Sequence, residues 1–277
     1  MNLLKSLFIF ASPAWLIFIV VLGVLKWLDS TSMLLSLGLV LSAIPLLLFL
    51  FYILVFKKLA RTTRHLFIVS VSSFVGLVLV MFDNTKQTID ILLALSGFII
   101  TLLYIYWYSN NARNFDNELK NKNTLPKFTV KDLQGNEVSS ECFHGNKSLI
   151  FFYRGNWCPL CMAQIDEVTA NYKKFEENNI DVIFIAPQSS KNTKDLASKH
   201  NLSFSFYADE NNKAAKKLGI LHEYGLPMGF QVLGYESDSV YPTVIALDDK
   251  GVIIYSDQTS NYRVRPEPEE LLKVFSV

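Results

Sequence analysis

Four runs in the first 108 residues are free of charge, or nearly so, over the length of helix that crosses a bilayer, roughly 17–25 residues. They are 7–25, 33–56, 66–82 and 89–108, the last with Asp90 at its mouth. Hydrocarbon offers backbone polar groups no partner, so such runs are confined to helices that pair their own N–H and C=O groups. Composition agrees: charged residues make up 18% of the chain, below the quarter usual for soluble domains. The third run is the shortest and the richest in Ser. A cleaved signal peptide, the rival for the first run, needs a compact apolar core followed by small residues. Here the run ends instead in Leu25-Lys26-Trp27-Leu28. Tyr104, Tyr106, Trp107 and Tyr108 suit an interfacial belt at the end of the fourth.

With four crossings, the N-terminus, the 57–65 loop and everything after 108 share one side. That side carries Lys5, Lys57, Lys58, Arg61, Arg64, Arg113, Lys120 and Lys122, against Lys26 and Lys86 on the other. The positive-inside bias then predicts a cytoplasmic C-terminal half, and one crossing fewer predicts the periplasmic or extracytoplasmic face. No cysteine lies within a run and His65 only borders one, so the helices have no thiol relay and no pair of haem histidines. Ser72 and Gly76 have the small-xxx-small spacing of close helix packing. Residues 1–108 therefore read as a four-helix transmembrane anchor with the lipid bilayer as partner. The Asn-rich stretch 109–123 reads as a polar linker, and 124–277 as a second domain.

In that second domain, strands alternate with helices. Residues 127–139 read as two short strands about a Gln134-Gly135-Asn136 turn, with buried strands at 148–153 and 181–186. Helices are predicted at 159–178, 192–200, 211–218 and from Pro268, and further strands at 204–207, 243–248 and 252–256. The pattern is that of an α/β layer with helices on both faces of a sheet. Between the first buried strand and the following helix stands Trp157-Cys158-Pro159-Leu160-Cys161. A Cys at a helix N-terminus meets free N–H groups and the positive end of the dipole, which favour a thiolate. Pro159 suits the first helical position, Arg154 adds positive charge, and Cys161 lies one turn along. The sequence thus predicts Cys158 as the low-pKa nucleophile on an exposed Gly155-Asn156-Trp157 turn, with Cys161 against a more apolar wall.

Rival uses of the pair are weaker. Haem attachment needs His after Cys161, where Met162 stands. A zinc site needs four ligands, and Cys142 with His144 would have to cross the domain to complete one. No cofactor or metal is expected. A net charge of +1 gives no basic footprint, so nucleic acid is not expected as a partner. Cys142 reads as an incidental buried thiol. His144, His200 and His222 lack triad companions, and Gly225-Leu226-Pro227-Met228-Gly229 sits in a long connection, 219–242, that could form a lip to the site.

Several stretches resemble a known family. Pro126-Lys127-Phe128-Thr129 with Asp132 and Gly135, then Phe152-Tyr153-Arg154-Gly155-Asn156-Trp157-Cys158-Pro159-Leu160-Cys161, carry the likeness. Tyr241-Pro242-Thr243, and Tyr262-Arg263-Val264-Arg265-Pro266, carry it further. Residues 124–277 look like the thioredoxin-like redoxin superfamily, closest to the peroxiredoxin-like branch of the alkyl hydroperoxide reductase/thiol-specific antioxidant family. Peroxiredoxins place Pro seven and Thr or Ser three residues before the peroxidatic Cys. Counted from Cys158, those positions are Phe151 and Gly155. They also carry an Arg near where this chain has Pro242, a role left to Arg154, Arg263 or Arg265. Trp before Cys-x-x-Cys is thioredoxin-like, and by resemblance Pro242 is the cis-proline facing the pair. The resulting expectation is a membrane-tethered thiol–disulfide oxidoreductase acting through Cys158, Cys161, Pro242, Trp157 and Arg154. It would act on a protein or small-molecule disulfide or thiol and be served by a reductant protein. The alternatives are a thiol peroxidase, with Cys158 peroxidatic and Cys161 resolving, and a non-enzymatic membrane assembly factor.

Overall fold

The structure, a computed structural model, describes all residues except 1, 30, 31, 112, 114, 116, 117, 200–203 and 277. His200, and with it the end of the helix expected over 192–200, lies outside the described residues. The chain divides into two compact units, one holding Leu3–Lys57 and Thr62–Asn110, the other Lys58–Arg61 and Asn111–Val277.

The first unit is helical: α1 (Asn2–Leu28), α2 (Met33–Phe56), α3 (Phe67–Phe82) and α4 (Thr88–Leu102), which runs on as a π-helical turn over Leu103–Tyr108. Three of these, not four, are long and apolar enough to cross a membrane: α1, α2 and the 21-residue stretch Thr88–Tyr108. With 16 residues, α3 is about 24 Å long at 1.5 Å per residue, short of a hydrocarbon core of about 30 Å. Its ends are set by local geometry. Leu66 turns into the left-handed region before it (φ 43°), and after it Asp83 accepts from Thr85 N–H at 2.7 Å and from the Ser32 hydroxyl. The expected count of four is thus corrected to three candidate crossings.

Glycines set the approach of α2 to α3. The Ser73 hydroxyl donates to Ser42 O at 2.6 Å, and the Gly76 backbone faces Gly38 and Ser42. Ser73 is buried and Ser72 only half-buried, so Ser73 takes the place expected of Ser72. A Cβ on Gly76 would stand 2.7 Å from Gly38 O and closer still to Ser42 N, both rigid backbone. We expect Gly76→Ala to force α2 and α3 apart at a cost of about 1–3 kcal/mol. The check is thermal unfolding of the full chain in detergent, and an unchanged Tm would contradict this packing.

The second unit carries a seven-stranded mixed sheet. Its strands are β1 (Thr129–Lys131), β2 (Glu137–Ser139), β3 (Lys147–Phe152), β4 (Ile180–Ala186), β5 (Ser205–Ala208), β8 (Thr243–Leu247) and β9 (Ile253–Asp257), in the order β2-β1-β5-β4-β3-β8-β9. Two further short strands, β6 (Leu221–His222) and β7 (Ser239–Val240), pair with each other and lie in the connection that the sequence left without structure. β3, β4 and β5 run parallel, while β8 is antiparallel to β3. β3 beyond Lys147, and all of β8, are buried, which is why both read as unbroken apolar runs rather than as alternating ones.

The β3-to-β4 crossover holds α5 (Pro159–Ala170) and α6 (Tyr172–Glu177), one predicted helix that breaks at Asn171. The remaining helices are α7 (Ser190–Ala197), α8 (Lys213–Lys217) and α9 (Pro268–Val274). Phe184 of β4, fully buried, stacks at 5.1 Å between Phe151 and Phe206 and meets Tyr153 and Phe204 edge-on.

Candidate active site

Phe152, the last residue of β3, pairs with Thr243, the first of β8. The chain leaving β3 and the chain entering β8 therefore meet at one end of the sheet, the carboxyl end of parallel strands where α/β sheets build sites. Tyr153 extends the strand by donating its N–H to Ile185 O at 3.0 Å. The chain then turns at Gly155, whose φ of +130° suits glycine and where a Cβ would meet the Trp157 ring at 2.9 Å. Cys158 is the N-cap of α5 with Pro159 at the first helical position, and Cys161 falls in the first turn. This is the placement that the sequence predicts.

The turn, however, is not exposed. Gly155 is buried, Asn156 and Trp157 are half-buried, and Cys158 and Cys161 are 1% and 0% exposed, both as free thiols. Three contacts close it. The Gln188 amide oxygen accepts Asn156 N–H at 3.0 Å, and the Asn156 side chain donates to Asn192 O at 2.7 Å. Phe230, from the long 219–242 connection, meets Trp157 edge-on at 5.9 Å. Those residues lie 32 to 73 positions along the chain from the turn, beyond the reach of local pattern.

The principal surprise is Arg265. Its side chain is buried at the two sulfurs, with Nη2 3.4 Å from Cys161 Sγ and 3.9 Å from Cys158 Sγ. Nη1 donates to Gln164 Oε1 at 2.8 Å and Nε to Tyr262 O at 3.1 Å, which fixes the fork. Burial alone would raise the Cys161 thiol. The hydrogen bond from Cys158, the Arg265 charge and the Arg154 backbone N–H outweigh it and bring Cys161 down to about 5. Cys158 goes the other way. Burial, its hydrogen bond to Cys161 and the charge there hold its proton on well above the usual range. Burial likewise works against the Arg265 charge, but the two sulfurs keep it protonated. The guanidinium thus favours a thiolate on the pair and stands nearer to Cys161 than to Cys158, the residue that the helix-end argument favoured.

The other expected residues divide. Arg154 is buried beneath the Trp157 ring at 4.6 Å and beside that of Tyr262 at 5.4 Å, and its guanidinium donates to Gly225 O. Arg154 thus holds the long connection at Gly225 and Trp157 meets it at Phe230. Arg263 is fully buried. Pro242 is trans, and no cis peptide occurs among the described residues. Tyr241 N–H donates to Ile220 O and Pro242 O accepts from Arg113, so the chain enters β8 extended, in the isomer favoured by about 0.5–1 kcal/mol. Cys142 is exposed rather than buried. His222 stacks on Tyr241 at 4.3 Å. Among the described residues no group of His, Cys, Asp or Glu has the arrangement of a metal site.

Sequence reasoning missed three supports. Gln164 orients Arg265, and its own Nε2 has no partner among the described residues. Asp257 of β9 is pushed up to about 6 by burial, against the pull of Arg113 and Arg265. Arg113, assigned to the linker, is buried and holds Pro242 O, Thr243 Oγ1 and Gln258 Oε1 at 3.2–3.3 Å. An Arg in an otherwise Asn-rich stretch is the one sequence signal that could have marked it.

Sheet order defines a thioredoxin-like α/β fold, with a buried dithiol at the start of a helix. Residues 122–256, just under half of the chain, match the AhpC/TSA family, bearing out for the C-terminal half the resemblance read from the sequence. Among curated proteins, the chain is 35% identical over 97 residues to chloroplastic peroxiredoxin Q of Sedum lineare, covering 35% of this chain and 52% of that one. It is 26% identical over 149 residues to peroxiredoxin Bcp of Escherichia coli, covering 53% and 92%. The chain spans between 52% and 63% of the length of the first three curated relatives it matches. A solved structure of reduced Prx3 from Vibrio vulnificus, in complex with H2O2, shares the fold at a TM-score of 0.50 and 16% identity, covering 56% of this chain and 98% of that one.

Proposed function

We propose that the C-terminal half is a thiol peroxidase of the peroxiredoxin type, with Cys161 as the attacking sulfur. The observation that carries this is the Arg265 guanidinium held against Cys161 Sγ in a buried site. It favours the thiolate and is aimed where negative charge shifts as a peroxide O–O bond breaks. Burial bears on the choice of substrate class. Sulfurs 0–1% exposed weigh against exchange with a protein disulfide, which must line up with the attacking sulfur. The comparisons point the same way, toward the peroxidase alternative rather than thiol–disulfide exchange. Counting from Cys161 instead of Cys158 also removes part of the earlier mismatch. Three residues before it stands Cys158, a hydrogen-bond donor where the resemblance implies Thr or Ser, although seven before it stands Arg154 rather than Pro.

In this reaction the Cys161 thiolate attacks the nearer peroxide oxygen. An S–O bond forms, the O–O bond breaks, and the leaving alkoxide or hydroxide takes a proton from solvent. Anchoring in a bilayer belongs to the same proposal. It is supported by the three long apolar helices and by outward-facing side chains such as Ile68 and Phe82, 81% and 77% exposed.

The test is stopped-flow oxidation of the reduced full chain in detergent by hydrogen peroxide, followed through Trp157 emission. With Cys161 at about 5, the thiolate is fully formed above pH 6. The rate constant should then be flat from about pH 6 to 8 and fall below about pH 5, and should exceed that of free cysteine by at least about 100-fold at neutral pH. A rate no faster than free cysteine, rising about tenfold per pH unit toward 8.5, would show an unactivated thiol and sink the proposal.

A further inference from the structure

The sequence marks Arg61 only as one of the basic residues that flank an apolar run. Lys58–Arg61 stand between α2 and α3 along the chain, yet they belong to the second unit. The half-buried Arg61 guanidinium is spent there on the segment that carries Arg265. Its Nε donates to Arg265 O at 3.1 Å and its Nη2 to Pro266 O at 3.2 Å. Its Nη1 donates to Glu167 Oε1 at 2.9 Å and its Nη2 also to Glu167 Oε2, with the Glu267 carboxylate 3.7 Å away. We propose that Arg61 is a positioning residue for Arg265: by tying two consecutive carbonyls of that segment to α5, it sets how closely the Arg265 guanidinium approaches the sulfurs. Its consequence for peroxide chemistry rests on the peroxidase reading.

The spacing along α5 gives the reason. Cys161, Gln164 and Glu167 stand three residues apart, so they are neighbours on one side of the helix. Arg265 meets the first two, through Nη2 and Nη1, and Arg61 meets the third. The Arg265 side chain and the Arg265 backbone are thus held to the same helix by separate bonds. Arg265 lies in the connection between β9 and α9, outside the repeating bonds of strand or helix. Its carbonyl and that of Pro266 belong to buried residues, and buried carbonyls need donors. Arg61 supplies both, while its two-point pairing with the Glu167 carboxylate fixes orientation as well as distance. Among the described residues its bonds go to carbonyls and carboxylates, so its effect on the sulfurs runs through Arg265. That effect is steep: attraction between guanidinium and thiolate falls with distance, and a misplacement of about 1 Å can cost about 100-fold in rate.

The test compares Arg61→Ala, Arg61→Lys and Glu167→Ala in the full chain in detergent, with Arg61→Ala also placed in an Arg265→Gln background. Two quantities are read: the pH midpoint of the first thiolate to form, by absorbance, and the rate of oxidation in a single mixing with hydrogen peroxide. Arg61→Ala should raise the midpoint by about one pH unit and slow oxidation about 10- to 100-fold. Arg61→Lys should recover part of both, because one ammonium cannot reach two carbonyls and a carboxylate as a fork does. Glu167→Ala should also raise the midpoint, although loss of a negative charge acting through space alone would lower it. In the Arg265→Gln background, Arg61→Ala should change the rate by no more than about threefold, since the two residues act as one unit. An unaltered or lowered midpoint in Arg61→Ala or Glu167→Ala would overturn the inference, whatever happens to Tm. So would a full loss of rate in the Arg265→Gln background, which would mean that Arg61 acts without Arg265. If Arg61→Ala does not fold, the midpoints of Arg61→Lys and Glu167→Ala decide by the same signs. Raised midpoints alongside an unaltered chain that reacts with peroxide no faster than free cysteine would retire the peroxidase reading and leave the positioning role standing.

Discussion

Replacing Arg265 with glutamine is expected to slow the oxidation of Cys161 by hydrogen peroxide about 100- to 1000-fold, the usual cost of removing one preorganised charge-stabilising donor. Glutamine retains polarity and much of the volume but not the charge that lies 3.4 Å from Cys161 Sγ. The Cys161 thiol should therefore rise from about 5 toward an ordinary thiol value near 8.5. The pH–rate profile should change from flat to rising between 6 and 8, which distinguishes a lost charge from a merely loosened site. A second readout has a definite sign. The guanidinium stabilises the thiolate, which is the reduced form, so its loss should make the disulfide harder to reduce, by on the order of 30 mV or more. Arg265→Lys should fall between the two, because a single ammonium cannot reach the sulfur, Gln164 and the Tyr262 carbonyl as a fork does. An Arg265→Gln variant with unaltered rate and profile would mean that another group activates the sulfur. Linkage adds a stability effect of definite sign. A thiol lowered from about 9 to about 5 on folding contributes stability that is fully present above about pH 9 and is lost as pH falls through about 5.

The largest stability effect is expected at Phe184. Truncation to alanine removes a fully buried ring that packs against four others, and should cost about 3–5 kcal/mol. For a domain of this size that is a fall in Tm of roughly 10 °C. The position matters for the site as well, because Phe184 pairs with Phe151 across the β4–β3 ladder, one residue before the strand end that carries the cysteine turn. Per folded molecule, peroxide reactivity should hold below the transition, since Phe184 itself makes no hydrogen bond to either sulfur or to Arg265. Leu233→Ala, at a side chain 61% exposed, is the control and should move Tm by little. A Phe184→Ala loss no larger than that of the control would place the ring outside the load that holds the sheet together.

What the sequence determined is what neighbours along the chain determine. Unbroken apolar runs become β3, β4 and β8, because both faces of those strands are covered. A strand, a glycine turn and Pro159 put Cys158 at a helix start, since Pro lacks the N–H that a first helical residue cannot use. Apolar length alone marked the helices of the first unit, yet it overcounted the spanning ones, because the ends of α3 are set by a Leu66 turn and by Asp83 capturing Ser32 and Thr85. Tertiary structure decided the chemistry. Three arginines were open candidates, and only folding delivers Arg265 to sulfurs 104 and 107 positions away. That delivery puts the positive charge nearer Cys161 than Cys158. Coulombic energy falls with distance and rises in a medium that excludes water, so a guanidinium at 3.4 Å in a buried site acts strongly on the Cys161 sulfur, a field that the helix-end argument for Cys158 did not include. The same holds for the covered turn and the trans Pro242, whose partners, Phe230, Gln188 and Arg113, come from elsewhere in the chain.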